Sequence, residues 1–159
     1  MKKFNHIYML MVLSALLLIV CCMSIYSPLR FQQQQEEREA AVKHRLLQIR
    51  HAEELYRKSK GTYAGTFHEL TVHGLLADSL QYVPYTDGKR FDLAVSMHLG
   101  ESGRQVPLME CGALYSDYLQ GLDENSVANL IEEANNTGRY PGLKIGDLIT
   151  PNDNAGNWE

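Results

Sequence analysis

The residues most suggestive of chemistry are two histidines in His68-Glu69-Leu70-Thr71-Val72-His73, a segment that imitates the helix of a zinc protease. That motif needs its histidines four residues apart, so that both reach one metal ion from the same face of the helix. Here they are five apart, which turns them about 140° from each other around the helix axis. The other histidines show no metal-ligand spacing either. We therefore predict no metal site.

Two further segments have residue types suited to catalysis or ligand binding. Gly100-Glu101-Ser102-Gly103 lacks the spacing of a nucleophile elbow, which has one residue on each side of the serine, so we interpret it as a hairpin turn. Asn152-Asp153-Asn154 offers oxygen ligands for calcium, although one acid and two amides without a partner glutamate support such a site only weakly. The glycines are not grouped as in a phosphate-binding loop. The sequence thus predicts no catalytic residue, no cofactor and no small-molecule substrate.

Cys111 and Ser79 are the remaining candidates for covalent chemistry. Cys111 is the only cysteine outside residues 7–26, so it has no partner for a disulfide within the globular part of the chain. We predict a buried thiol, with an intermolecular link as the alternative, because free cysteines are mostly buried. Asp78-Ser79-Leu80 resembles the acceptor of an envelope O-glycosylation system, which makes Ser79 a candidate modification site.

Charge is divided unevenly along the 159 residues. Residues 1–60 hold ten Lys/Arg and five Asp/Glu, a net charge of +5, whereas residues 61–159 hold five and fourteen, a net charge of −9. An acidic C-terminal part would repel phosphates, which argues against a nucleic-acid partner. The composition, with 45% hydrophobic and 21% charged residues, excludes a collagen-like or wholly disordered chain.

A membrane anchor is predicted near the N-terminus. Residues 7–26 carry no charge, and roughly twenty helical residues span the hydrocarbon core of a bilayer. Lys2 and Lys3 favour an orientation that places residues 1–6 in the cytoplasm and the C-terminal domain in the periplasm, as a single-pass protein of the inner membrane. The alternatives are a signal peptide cleaved after Cys22-Met23-Ser24 and, less favoured, lipidation of a cysteine.

A long amphipathic helix is predicted over residues 27–60. Its apolar residues recur at spacings of three and four, the period of one helix face. They are Val42, Leu46, Ile49, Ala52 and Tyr56. Gly61 is expected to cap the C-terminus of this helix. The charged residues, which include the i,i+4 pair Glu53 and Arg57, predict a solvated face rather than a basic binding patch.

A small antiparallel sheet is predicted after a short helix at residues 67–72, for which Thr66 and Glu69 form a capping box. Apolar and polar residues alternate over 91–99, which predicts a strand with Phe91, Val95 and Leu99 buried. Flanking strands over 80–85 and 104–111 complete a three-stranded meander. In the last strand, Pro107 predicts an edge position or partial pairing.

Short helices are predicted to follow the sheet. One lies near residues 114–119, and Asp123 caps a second whose apolar residues fall at i, i+3, i+4 and i+7. Residues 143–148 fit either a short strand or an extended packing segment, and residues 151–159 are expected to form a mobile tail. The predicted fold class is α+β: a transmembrane helix, a long helix packed on the meander, and short C-terminal helices. One extracytoplasmic domain would cover residues 61–150.

This order of elements resembles the type IV pilins and the pseudopilins of type II secretion over residues 7 to about 111. The likeness is carried by three segments: Ile49-Arg50-His51-Ala52-Glu53-Glu54-Leu55-Tyr56, Gly61-Thr62-Tyr63 and Phe67-His68-Glu69-Leu70. In that superfamily a helix end with Ala and Tyr commonly runs into Gly-x-Tyr and a Leu-containing turn. The resemblance implies a long helix packed on an antiparallel sheet.

The C-terminal part resembles a different group, an uncharacterised family of single-pass envelope proteins in Gram-negative bacteria. The segments that carry this likeness are Tyr140-Pro141-Gly142-Leu143-Lys144 and Asn154-Ala155-Gly156-Asn157-Trp158-Glu159. No activity is implied by it.

Two features of true pilins are missing from the sequence. Their leader ends in glycine before an aromatic residue, whereas Phe4 follows Lys3, and no carboxylate lies within residues 7–26, where pilins carry a glutamate. We therefore predict a pilin-like fold for this chain, but we do not predict the filament-forming function of pilins. The sequence predicts a membrane-anchored, non-enzymatic interaction or scaffold protein with a pilin-like head, partnered by other envelope proteins. The alternatives are a minor pseudopilin of a type II secretion or type IV pilus-related machine and, second, an extracytoplasmic hydrolase.

Overall fold

The computed structural model describes residues 2–99 and 103–159, without the side chains of residues 2–5 and 23–28. Most of the predicted hairpin turn at residues 100–103 therefore lies outside the described residues. The described elements are α1 (Lys2–Lys60), α2 (Phe67–Val72), a 3₁₀ helix (Asp78–Gln81), β1 (Asp92–Leu99), β2 (Gln105–Leu114), α3 (Tyr115–Tyr118), α4 (Glu124–Asn136) and β3 (Gly142–Gly146). The chain divides into two compact units, Met1–Glu36 and Glu37–Glu159. We call the second unit the head.

The membrane anchor predicted over residues 7–26 is wrong. Among the residues that the structure describes, no helix has an apolar stretch long enough to cross a membrane. Three predictions are therefore also wrong: the transmembrane helix in the predicted fold class, the signal anchor and the single-pass location in the inner membrane.

Within the head, α1 buries the apolar face that its sequence predicts. Val42, Leu46 and Ile49 are fully buried, and Ala52 is 1% exposed. These side chains belong to one core that also contains apolar residues of the sheet and of α3. The helix ends where Gly61, with a φ of 80°, donates its N–H to the carbonyl of Arg57 at 2.8 Å. The predicted glycine cap is therefore confirmed, since glycine adopts positive φ without a steric penalty.

The sheet is antiparallel with the order β1-β2-β3. Its register places Leu93 opposite Cys111, and Cys111 opposite Ile145. Three antiparallel strands were predicted, but the prediction of a strand over residues 80–85 is wrong. That segment forms the 3₁₀ helix and then a single bridge between Tyr82 and Arg90. The third strand is β3, for which the sequence left two alternatives open.

The backbone of residues 84 and 85 explains why no strand forms before β1. Pro84 has no N–H to donate to a ladder. Tyr85 has a φ of 62°, which lies in the left-handed region and cannot continue an extended strand. The alternation of side chains in this segment therefore belongs to a loop.

Pro107 lies in the central strand of the sheet, at a place where only one neighbour is present. β2 pairs with β1 from Gln105 to Gly112, whereas β3 pairs only with Glu110 to Leu114. The residue that lacks an N–H thus lies outside the two-sided part of the strand. This arrangement confirms the prediction of partial pairing.

Both predicted helix caps are present. The N–H of Glu69 bonds to Thr66 Oγ1 at 3.4 Å, and Glu69 Oε2 accepts from the N–H of Gly65 at 2.9 Å, at the start of α2. The N–H of Ser126 bonds to Asp123 Oδ2 at 2.8 Å, at the start of α4. Local sequence signals therefore set the start of both helices.

Candidate interaction surfaces of the head

Ser79, the candidate glycosylation site, is exposed on the 3₁₀ helix. Its backbone carbonyl accepts a hydrogen bond from Arg45 at 3.4 Å. The carbonyl contact fixes the turn while the side chain lies on the surface, a position compatible with modification. Glycosylation of Ser79 remains a prediction.

The residues considered as metal ligands have other contacts. The ring of His73 packs against Tyr56, with centroids 5.5 Å apart, while His68 lines a surface hollow beside Arg90. Asn154 is buried and donates to the hydroxyl of Tyr63 at 2.8 Å. Within residues 2–99 and 103–159, no group of three His, Cys, Asp or Glu is placed to hold a metal ion.

Cys111 and Glu53 are ionisable residues inside the core, and both are fully buried. Burial raises the pKa of the Cys111 thiol well above its usual value, and the nearby carboxylate of Glu53 adds to the effect. The thiol is therefore neutral and a poor nucleophile. The predicted burial of Cys111 is confirmed.

Glu53 is a functional candidate that the sequence did not reveal. Its Oε2 accepts the N–H of Ala64 at 2.8 Å, while its Oε1 has no hydrogen-bond partner among the described groups. Burial raises the pKa of Glu53 to about 7. The predicted solvated pair with Arg57 is wrong, because Arg57 donates instead to the hydroxyl of Tyr63 at 2.8 Å.

Arginines of α1 bind the loops of the head through backbone carbonyls. Arg38 donates to the carbonyls of Tyr118 and Gln120 at 2.9 and 2.8 Å. Arg45 donates to the carbonyl of Tyr82. Because carbonyls in loops carry no sequence pattern, the chain alone predicted only a solvated face for these residues. Their guanidinium groups position loops and are not a surface for an acidic partner.

The C-terminal segment, residues 151–159, packs onto the head although the sequence predicts a mobile tail. Arg50 forms an ion pair with Glu159 at 3.0 Å. Gly156 bridges to Ile145 of β3, and Asn157 Nδ2 donates to the carbonyl of Gly142 at 2.9 Å. The segment therefore extends the sheet edge with specific contacts.

A cavity of about 260 Å³ lies beside this segment, between α1 and α4. Its walls include Trp158 and two tyrosines, together with two cations and two carboxylates. The charges pair with one another, Lys43 with Glu39 at 3.3 Å and Arg139 with Glu133 at 2.9 Å. Since these pairs leave no net charge that could select a ligand, we assign no ligand to this cavity.

The far end of the β1–β2 pair carries apolar side chains that the core does not cover. Met97 is 57% exposed and Leu99 is 66% exposed. The predicted burial of Leu99 is wrong, because β1 extends beyond the buried core whereas Phe91, at its start, is 3% exposed. Met97 and Leu99 are two residues apart in β1 and therefore lie on the same face of the sheet, which makes this end of the strand a candidate interaction surface.

Comparison with protein-family models, with curated proteins and with solved structures found no match in any of the three.

Proposed function

We propose that this chain is a non-enzymatic interaction or scaffold protein whose head has a pilin-like arrangement. The observation that carries the proposal is the uncovered apolar end of β1, formed by Met97 and Leu99. Covering such groups removes apolar surface from water, worth about 25 cal/mol per Å². A protein partner supplies that cover.

The distribution of polar groups supports a role in binding rather than in catalysis. Cys111 is buried with a raised pKa, and Glu53 is enclosed in the core. Arg38, Arg45 and Arg50 of α1 contact carbonyls and a carboxylate of the head itself. Cys111 and Glu53 are thus enclosed in the core instead of facing a substrate.

A minor pseudopilin of a secretion or pilus-related machine is the second candidate. It is favoured by the 59-residue helix α1 that runs into a head with an antiparallel sheet. In that case the apolar end of the sheet would contact neighbouring subunits of a filament. The identity of the captured protein distinguishes the two candidates.

The proposal is tested by a photo-crosslinking amino acid at Leu99 in cells, with a matched probe at Val72, which is also 66% exposed. We expect defined protein adducts from position 99 and none from position 72. Adducts with pilus or secretion-machine subunits would favour the second candidate. Equal labelling from both positions, or none at position 99, would contradict an interaction role for this end of the sheet.

A further inference from the structure

β1 is an open edge of the sheet. β2 lies on one side of it, and no strand lies on the other within the described part of the chain. In the same described residues, the backbone groups of β1 bond to no element other than β2. Half of the N–H and C=O groups of an antiparallel edge strand point away from its neighbour and can pair with another strand.

Two of the devices that normally protect an edge are missing from β1. Its sequence, Asp-Leu-Ala-Val-Ser-Met-His-Leu, contains no lysine and no proline, which are the usual blocks to pairing. A surface hollow of about 590 Å³ adjoins its start, lined by His68, Arg90, Asp92 and Leu93 among others.

The order of side chains along β1 is complementary to itself. An antiparallel copy centred on Val95 places Asp92 opposite His98, Leu93 opposite Met97, and Ala94 opposite Ser96. Directly opposed residues project from the same face, so apolar side chains meet on the core side. On the other face a carboxylate meets an imidazole at each end of the pair.

We propose that the occupant of this edge is a second copy of the chain, paired β1 to β1 about a two-fold axis at Val95. The two strands form a continuous six-stranded sheet from two heads. The polar match of the Asp92 carboxylate with the His98 imidazole occurs twice in such an isologous pair and selects this register. The inference rests on the proposed interaction role and specifies its partner.

Disulfide trapping in the full chain tests the register, in a background with Cys21→Ser and Cys22→Ser. Opposed residues in an antiparallel pair have Cα atoms about 4.5–5.5 Å apart, within the range of a disulfide. Val95→Cys should therefore form a covalent dimer of the 18.0 kDa chain. Ala94→Cys alone should form no covalent dimer, because the two cysteines would lie about 8 Å apart. A mixture of the Ala94→Cys chain and the Ser96→Cys chain should form one, because these positions are directly opposed.

Charge reversal tests the chemistry in the same full chain by light scattering. His98→Asp sets two carboxylates opposite each other at both ends of the pair, and we expect about tenfold weaker dimerisation. Adding Asp92→Lys restores opposite charges and should recover the dimer. His51→Asp, on an exposed residue of α1, is the matched control and should change nothing.

Three results would overturn the self-pairing. They are a monomer, a dimer that is not trapped by the mixed cysteine chains, and a dimer indifferent to His98→Asp. If any of these occurs while Leu99 still captures another protein, the self-pairing fails and the interaction role stands. If Leu99 captures nothing as well, both fail.

Discussion

Glu53 shows how a single carboxyl group makes the stability of the head depend on pH. It is fully buried, and its pKa is raised to about 7 by that burial. In the unfolded chain the same group has a pKa near 4.5. The folded state therefore binds the proton more tightly, and the stability that this provides is complete below about pH 4.5 and is lost as the pH rises through 7.

We predict that Glu53→Gln removes this pH dependence. Because of the raised pKa of Glu53, the unfolding free energy of the native chain should fall by about 2–3 kcal/mol between pH 5 and pH 8. In the variant, the difference between the two pH values should shrink by that amount, as measured by urea unfolding. Glu54→Gln, on the neighbouring and partly exposed residue, is the control and should keep the pH dependence of the native chain. An unchanged profile for Glu53→Gln would assign the dependence to other groups.

Phe91 and Leu99 lie in the same alternating segment but have opposite environments. Phe91 is 3% exposed and Leu99 is 66% exposed. We predict that Phe91→Ala costs about 3–5 kcal/mol because it leaves a cavity in the core. Leu99→Ala should change stability by about 0.5 kcal/mol or less. Denaturant unfolding measures both, and similar losses for the two variants would contradict the core boundary described above.

The element that completes the sheet, β3, depends on glycines at its two ends. A Cβ at Gly142 would lie 2.1 Å from the carbonyl oxygen of Ala113, and one at Gly146 would lie 2.1 Å from that of Met109. These distances are far below van der Waals contact. β3 therefore approaches β2 as closely as it does because these positions have no side chain.

We predict that Gly142→Ala destabilises the head by about 1–3 kcal/mol, through the backbone shift needed to relieve the overlap. Gly65→Ala is the matched control, since a Cβ there meets nothing within 4 Å and its φ is not positive. The Gly65→Ala substitution should be neutral or should stabilise the head by roughly a few tenths of a kcal/mol, because alanine restricts the conformations of the unfolded chain. Thermal unfolding of both variants gives the comparison, and equal melting temperatures would show that β3 tolerates a wider spacing.

At the scale of the whole molecule, the acidic charge of residues 61–159 is only partly neutralised by contacts with α1. Arg50 pairs with Glu159, but Arg38 and Arg45 donate to neutral carbonyls. Exposed carboxylates such as Glu132 and Glu133 on α4 remain at the surface. A field of one sign can steer a basic partner, and the effect fades as salt shortens the Debye length to about 8 Å at physiological ionic strength.

We predict that Glu132→Lys with Glu133→Lys changes association rather than folding. The unfolding free energy should stay within about 0.5 kcal/mol, because the ion pair of Glu133 with Arg139 is exposed and such pairs contribute little. Association with any basic protein other than a second copy of this acidic chain should slow, and the difference should disappear at high salt. Stopped-flow binding measures it. An association rate that ignores both the substitutions and salt would indicate an apolar interface.

The sequence by itself determined the features that depend on neighbours within about four residues. The buried face of α1, the caps formed by Thr66 and Asp123, and the end of α1 at Gly61 were all predictable. Helix periodicity and capping act through local hydrogen bonds and side-chain direction. No tertiary contact is needed to specify them.

Only the tertiary structure decided which segment completes the sheet and which polar residues are enclosed. Cys111 pairs with Ile145 across a separation of 34 residues, and β3 fits there because glycines permit the close approach. Glu53 follows a helical pattern shared with solvated residues, yet the turn at Ala64 covers it. Pairing and burial of this kind depend on distant chain segments meeting, and the one-dimensional pattern records only which side chains could take part.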